Sequence, residues 1–340
     1  MSDGPRDSWP RRALSGLYGR VTRARRRWYD ARPERRRRLD VPVISVGNLV
    51  SGGSGKTPVV AAIARLLQAH GERPAILSRG YGRKEHPAGV LVVSDGQHAN
   101  EPVWRTGDEP LMLARALPGV SVLVCPDRYT AGRVAVGALG ATVCLLDDGF
   151  QHIQLARDID LLLVSMDDLV EPLLPFGHLR EPVDAGQLAD AVLVPGSHEN
   201  VWRVAGAIGL EVAFQTVPRY RLDGVAPGTR VVAVAGIARP HRFIESLRTF
   251  PCEIVAERLF RDHHWYTAQD LGAIRAVAVE RGASMVVTTA KDAVRLSADT
   301  LGLPIAVLDL EVSIEPAPVF ENWLLSHLER ARQTRAGAPS

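Results

Sequence analysis

The sequence predicts an α/β protein: a mostly parallel sheet with helices on both faces, plus a smaller α/β domain at the C-terminal end. Three observations carry this. Short continuous apolar runs recur at 41–46, 75–77, 121–125, 141–146, 160–164 and 191–194, the pattern of strands buried on both faces. Helical stretches separate them, as the crossovers of a parallel sheet require. Polar or glycine-containing loops follow these strands directly, at 47–57, 78–83, 126–128 and 147–152, where open α/β sheets gather their functional residues.

Size and composition set the outer limits. With 340 residues the chain is long enough for two domains, each with its own core. A hydrophobic content of 46% against 23% charged residues is ordinary for a soluble globular protein. Cys125, Cys144 and Cys252 lie far apart, in or beside apolar runs. They show no disulfide or metal-ligand spacing, so a reducing compartment is expected. No apolar run approaches the roughly 18–20 residues that span a bilayer, and no signal-peptide core opens the chain. The net charge of +3 is uneven: residues 1–40 hold 13 Arg against 5 Asp and Glu, and the remainder is net acidic. The basic character is thus an N-terminal property, which argues against a nucleic-acid partner.

Residues 1–40 form a basic amphipathic segment. A helix over 11–30 puts Leu14, Leu17, Tyr18, Val21 and Trp28 on one stripe, flanked by Arg20, Arg23, Arg26 and Arg27. That face suits an anionic membrane surface. A helix docked on its own domain with its arginines in water fits the pattern equally. Arg35 to Arg38 is a solvated basic run without the aromatic residues that nucleic-acid binding favours.

The strand at 41–46 runs into Gly47-Asn48-Leu49-Val50-Ser51-Gly52-Gly53-Ser54-Gly55-Lys56-Thr57, and a helix is predicted over 59–67. Strand, glycine loop, Gly-Lys-Thr and helix make a phosphate cradle, the signature of a P-loop NTPase-type fold. Small residues let backbone N–H groups converge on phosphate oxygens, and the helix N-terminus adds partial positive charge. Gly52, Gly53, Ser54, Gly55, Lys56 and Thr57 are therefore the candidate nucleotide-binding residues. Lys56 is placed to reach the β/γ-phosphates and Thr57 to ligate Mg²⁺. The pattern departs from the common one at Val50, where glycine is usual.

Downstream, Ser78-Arg79-Gly80-Tyr81-Gly82-Arg83 and Pro126-Asp127-Arg128 place cations at strand ends, making Arg79 and Arg128 candidate substrate contacts. The strand at 141–146 closes on Asp147-Asp148-Gly149-Phe150-Gln151-His152. Asp147 and Asp148 sit where a nucleotide-binding fold organises Mg²⁺, although paired aspartates at a strand end also serve as loop caps. Gln151 and His152 are further candidates for the metal or substrate. Phosphate transfer to an alcohol also needs a base. Asp108 is one candidate and a helix N-cap by its plain reading; His263, beside Asp262 and His264, is another. If Asp108 and His263 meet across an interdomain cleft, they form a carboxylate–imidazole pair suited to general-base work.

Pro218 to Gly228 reads as a boundary between a first domain, 41–217, and a smaller α/β domain, 218–332. In the second, strands are predicted near 231–234, 253–257, 285–288 and 305–308, with helices over 242–247, 268–281 and 321–332. Residues 333–340 read as a disordered tail.

The segments VPVISVGNLVSGGSGKTP (41–58), LSRGYGRK (77–84), GDEPLMLA (107–114), LDDGFQH (146–152), GHLREP (177–182), FRDHHWYT (260–267) and TTAKDA (288–293) occur in this order. Together they resemble the tetraacyldisaccharide 4'-kinases, the lipid A 4'-kinases, over about residues 14 to 330. The resemblance implies transfer of the ATP γ-phosphate, with Mg²⁺, to the 4'-hydroxyl of a tetraacyldisaccharide 1-phosphate, giving lipid IVA. It implies a monomer attached peripherally to the cytoplasmic face of the inner membrane through its basic N-terminus. It carries nucleotide and metal roles onto Lys56, Thr57, Asp147, Asp148 and Gln151. Asp108 becomes the catalytic base, assisted by His263 or the adjacent His264, and Arg180 a phosphate or substrate contact. The absent glycine at Val50 belongs to the family's own loop. Ala290 stands where the family has Glu.

Two other classes share the loop type. A membrane-recruited dimeric ATPase switch carries a lysine where this chain has Ser51. A GTP-dependent maturation factor needs an Asn-Lys-x-Asp signature or a Cys/His cluster, and the sequence has neither.

Overall fold

The computed structural model describes residues 9–52, 55–85, 88–99 and 101–336. The N-terminal half contains α1 (Trp9–Asp30), β1 (Val43–Asn48), α2 (Lys56–Ala69), β2 (Pro74–Ser78), β3 (Leu91–Asp95), α3 (Val103–Thr106), α4 (Asp108–Ala116), β4 (Ser121–Val124), α5 (Arg128–Gly137), β5 (Val143–Asp147), β6 (Ile159–Leu163), β7 (Ala191–Pro195) and α6 (His198–Ile208). It continues through β8 (Ala213–Leu222), β9 (Arg230–Ala235), α7 (Pro240–Leu247), β10 (Glu253–Leu259), α8 (Ala268–Arg281), β11 (Met285–Thr289), α9 (Ala298–Leu301), β12 (Ile305–Glu315) and α10 (Ala317–Ala336).

One twelve-stranded sheet runs through the described residues in the order β10-β9-β11-β12-β8-β7-β6-β1-β5-β2-β4-β3. It is parallel except where β3 pairs with β4 and β12 with β8, which bears out the mostly parallel sheet. β1 is buried along its whole length between β5 and β6. Its apolar side chains have no solvent-facing side, which is why the sequence shows a continuous run rather than alternation. α2 and α4 cover one face and α5 the other. In the C-terminal half, α7 and α8 cover opposite faces of β9. The carboxyl ends of β1, β2, β4 and β5 therefore share one edge, where all four candidate loops emerge.

The two halves are joined differently from the sequence expectation. Pro218 to Leu222, expected to begin a linker, is the outer half of β8 and pairs with β12 from Leu222↔Leu308 to Pro218↔Val312. Its residues from Arg219 to Arg221 are exposed, so neither an apolar run nor a clean alternation marked the strand. The final helix is longer than 321–332. Gln333 to Ala336 continue it, and Arg335 donates two hydrogen bonds of 2.6 Å to Asp158; residues 337–340 of the expected tail lie outside the described residues. Phe320, Leu324 and Leu328 of α10 pack in the same core as Ile63 and Leu67 of α2, so the last helix returns to the N-terminal half. Among the described residues no helix is long and apolar enough to cross a membrane.

Candidate active site

Two clusters of polar residues face one another at the carboxyl edge of the sheet. The first begins where β1 ends. A Cβ on Gly47 would lie 2.4 Å from that of Phe150, so only glycine lets β1 pass the Asp147–His152 loop. The chain then pairs with a strap at 178–180. Arg180 N–H donates to the Leu49 carbonyl and Ser51 N–H to the His178 carbonyl, both at 2.7 Å. Gly52 and Gly55 have φ of 108° and 83°, a region that favours glycine. Gly55 caps α2 without a side-chain bond, leaving the first helical N–H groups for an anion. Gly53 and Ser54 lie outside the described residues.

Lys56 Nζ lies 3.0 Å from Asn48 Oδ1 and 3.2 Å from Asp148; Thr57 is buried. Asp147 is buried at the end of β5, opposite Val46 of β1. Burial and the nearby Glu109 carboxylate push its pKa up to about 7 against the pull of Lys56. Asp148 behaves oppositely. Burial disfavours its charge, but two hydrogen bonds from Arg180 at 2.8 and 2.9 Å, with Lys56 beside it, outweigh burial and hold it at about 2. Arg180 also donates to Asn48 Oδ1 at 2.8 Å and to the Val50 carbonyl at 2.9 Å. Its Nε donates to the Val50 carbonyl as well, so Arg180 ties the phosphate loop to Asp148 at the place where the sequence suggested a phosphate or substrate contact.

Gln151 donates to the Asn48 carbonyl at 3.0 Å while its Oε1 is buried without a partner. His152 Nε2 is likewise buried and unpartnered, and burial and Arg128 lower its pKa to about 4. Arg128 is buried against the Pro126 carbonyl, its own pKa lowered by burial and by Arg79, while Arg79 is exposed. Thr57, the two aspartates and the open Gln151 oxygen make a hard-oxygen set that fits Mg²⁺. That ion needs only one or two carboxylates when phosphates and water complete its shell, which agrees with the lack of a three-residue His/Cys/Asp/Glu cluster among the described residues.

The second cluster centres on Asp108, which is 1% exposed. It is the first residue of α4 and not its N-cap; Gly107 holds that place at φ 84°, where a Cβ would meet the Tyr81 carbonyl at 2.7 Å. The cap reading therefore fails, and the carboxylate is left for other partners. Oδ2 accepts from His263 Nδ1 at 2.7 Å, and Oδ1 contacts the buried Arg295 guanidinium. His263 sits in the turn after β10 with φ 60°. Its Nε2 lies 3.2 Å from Lys291 Nζ, which also binds Asp262 at 3.0 Å and lies 3.9 Å from Glu109. The Tyr81 ring stands edge-on to His263 at 5.5 Å. His264 turns away: it pairs with Asp270 at 3.0 Å and stacks on Phe260. Of the two histidines, His263 is the one that meets Asp108.

The sequence reading missed Arg295, Glu109 and Asn48. Glu109 and Asn48 lie inside quoted motifs and could have been found there. Arg295 follows TTAKDA by two residues and carries no local signal. Helix α1 docks on its own domain, one of its two readings, and leaves an apolar stripe exposed. It docks through Ser15, Gly19 and Arg26 onto the strap region, with Ser15 Oγ donating to the Leu173 carbonyl at 3.2 Å. Arg26, expected beside the stripe, is buried. Leu14, Leu17, Val21 and Trp28 face outward, 42–59% exposed.

A family model described as tetraacyldisaccharide-1-P 4'-kinase matches residues 8–329. The tetraacyldisaccharide 4'-kinase of Syntrophus aciditrophicus is 40% identical, the match covering 89% of this chain and 88% of that protein. That of Geobacter sulfurreducens is also 40% identical, covering 90% and 89%. The crystal structure of the "apo" form of LpxK from Aquifex aeolicus in complex with ATP superposes with a TM-score of 0.76 at 31% identity, covering 93% of this chain and 98% of that one.

Proposed function

The chain belongs to the tetraacyldisaccharide 4'-kinase family, and we propose that it performs this family's reaction with the two clusters described above. It is an ATP-dependent kinase that phosphorylates a lipid A precursor, a tetraacyldisaccharide 1-phosphate, at its 4'-hydroxyl, giving lipid IVA. The observation that carries the assignment of roles is the contact between Asp108 and His263, residues 155 apart in sequence, opposite a phosphate loop with two aspartates.

ATP lies with its phosphates on Gly52 to Thr57 and the start of α2. Lys56 leaves Asp148 and Asn48 to reach the β/γ-oxygens. Thr57, Asp147, Asp148 and Gln151 would hold Mg²⁺, which offsets charge on the transferring phosphoryl group. Asp108 takes the sugar hydroxyl proton, and His263 Nδ1–H keeps the carboxylate aimed. Arg295 supplies the counter-charge that a buried carboxylate needs. Asp108 lies under His263 and Arg295 in this structure, so the two halves must shift before a hydroxyl can meet it, and that shift also excludes water. Arg79 and Arg128 are candidates for the substrate's phosphate, and His152, neutral near pH 7, for its hydroxyls.

The exposed stripe of α1, with Arg20 and Arg27 beside it, lies on the anionic cytoplasmic surface of the inner membrane and brings a monomeric enzyme to its lipid. Incubation with γ-labelled ATP and acylated disaccharide 1-phosphate in detergent tests the function. Label in the lipid is expected. Hydrolysis of ATP with no labelled lipid would point instead to a switch ATPase. In parallel, Leu17→Ser/Val21→Ser should lower partition onto anionic vesicles while leaving turnover in detergent near normal. Unchanged partition would remove α1 as the anchor.

A further inference from the structure

We propose that Arg26 of α1 is a positioning residue for the phosphate site, holding both walls of that site to one helix. Its guanidinium is buried, with only 9% of the side chain exposed, against Glu181 at 6%. It binds both Glu181 oxygens, Nη2 reaching Oε1 at 2.8 Å. The same Nη2 donates to the Phe150 carbonyl at 3.2 Å, and the guanidinium covers the Phe150 ring at 4.2 Å. Arg25, the preceding residue, donates to the Gln151 carbonyl at 3.3 Å. Consecutive arginines of α1 therefore hold consecutive carbonyls of the loop that carries Asp147, Asp148 and Gln151.

Glu181 immediately follows Arg180, whose donors all go to Asp148, Asn48 and Val50. Arg26 thus grips the strap on one side and the aspartate loop on the other. Phe150, fully buried, packs on Gly47 at the entrance of the phosphate loop, so a shift of its ring moves β1's end as well. Arg157 shares the Phe150 carbonyl at 3.2 Å but pairs with Asp160 and not with the strap. It can hold the loop but cannot tie it to Glu181. A bidentate arginine buried between two segments fixes distance and angle together, and misplacement near a reacting centre costs rate steeply.

The inference rests on reading the Asp147–Gln151 loop as part of the ATP site. The test is Arg26→Met/Glu181→Met in the full chain, which removes both buried charges and leaves packed apolar side chains. Melting at or above the wild-type temperature is expected. A rise of about tenfold or more in the KM for ATP, with a lower kcat and an unchanged KM for lipid, should accompany it. ATP added in EDTA should raise the melting temperature of the wild type and raise that of the variant less. Wild-type constants in a folded double variant overturn the proposal, as does a loss of rate with both KM values unchanged. If the double variant does not fold, Arg26→Lys decides: a severalfold rise in the KM for ATP is expected, and unchanged kcat and KM overturn it. A wild-type protein that fails to use ATP at all would instead sink the underlying reading of the site.

Discussion

The two clusters at the carboxyl edge are built in opposite ways. The phosphate cluster comes from loops that follow neighbouring parallel strands of one half, shaped by glycines and tied together by the strap and α1 of that same half. The acceptor cluster comes from three distant segments: the start of α4, the turn after β10 and the turn after β11. It exists only where the two halves of the sheet meet. Nucleotide binding is therefore a property of one half of this chain, whereas the base depends on the junction of the two halves. Anything that breaks the junction between the halves, and so separates Asp108 from His263, should therefore spare ATP binding and abolish transfer.

The largest effects come from cutting one cluster at a time. Lys56→Ala and Asp108→Ala should each lower kcat by several powers of ten. They should differ in binding: Lys56→Ala weakens ATP binding in a direct titration, and Asp108→Ala leaves it near normal. Equal losses of ATP affinity would erase the distinction between the clusters.

Arg295→Ala leaves Asp108 buried without its counter-charge. A loss of about 3–5 kcal/mol in unfolding free energy is expected, read by denaturant titration, with transfer lost and ATP binding retained in the folded fraction. A loss below about 1 kcal/mol would show that the pair is not a structural link between the halves.

Asp147 offers a sharper contrast. Its folded pKa, about 7, lies above the unfolded value near 3.8. Between these values the folded state binds more protons, so stability falls as pH rises and the full cost is present above pH 7. Asp147→Asn removes that cost. In EDTA the variant should melt higher than wild type at pH 8 and by a clearly smaller margin at pH 5, while transfer is lost. A lower melting temperature at pH 8 contradicts this.

The smallest effect falls on His152, whose folded pKa of about 4 lies below its ordinary value of 6.5. Here the unfolded state binds more protons, so its contribution is complete above pH 6.5 and is lost as pH falls towards 4. Acidification from pH 7.5 to 5 should therefore lower the wild-type melting temperature more than that of His152→Gln. Equal shifts would mean that His152 is not held neutral.

What the sequence revealed follows the same division. The phosphate loop, the paired aspartates and the parallel sheet were legible because each is written in consecutive residues with a fixed backbone requirement. Asp108 and His263 were legible as candidates, but their meeting was not, since it depends on how β12 and β8 join the halves. Arg295 and Arg26 were invisible as site residues. A buried arginine looks like any surface arginine until its carboxylate partner is placed, and those partners are remote in sequence. The outer half of β8 escaped for a simpler reason: solvent-exposed residues and Pro218 leave a paired strand without apolar periodicity.

The central claim is that Asp108 and His263 act as one unit on the acceptor hydroxyl. A double-mutant cycle on kcat with Asp108→Ala, His263→Ala and the double variant tests it most directly. The account predicts that the double variant is no slower than Asp108→Ala alone. Losses that multiply would show two independent roles and contradict it.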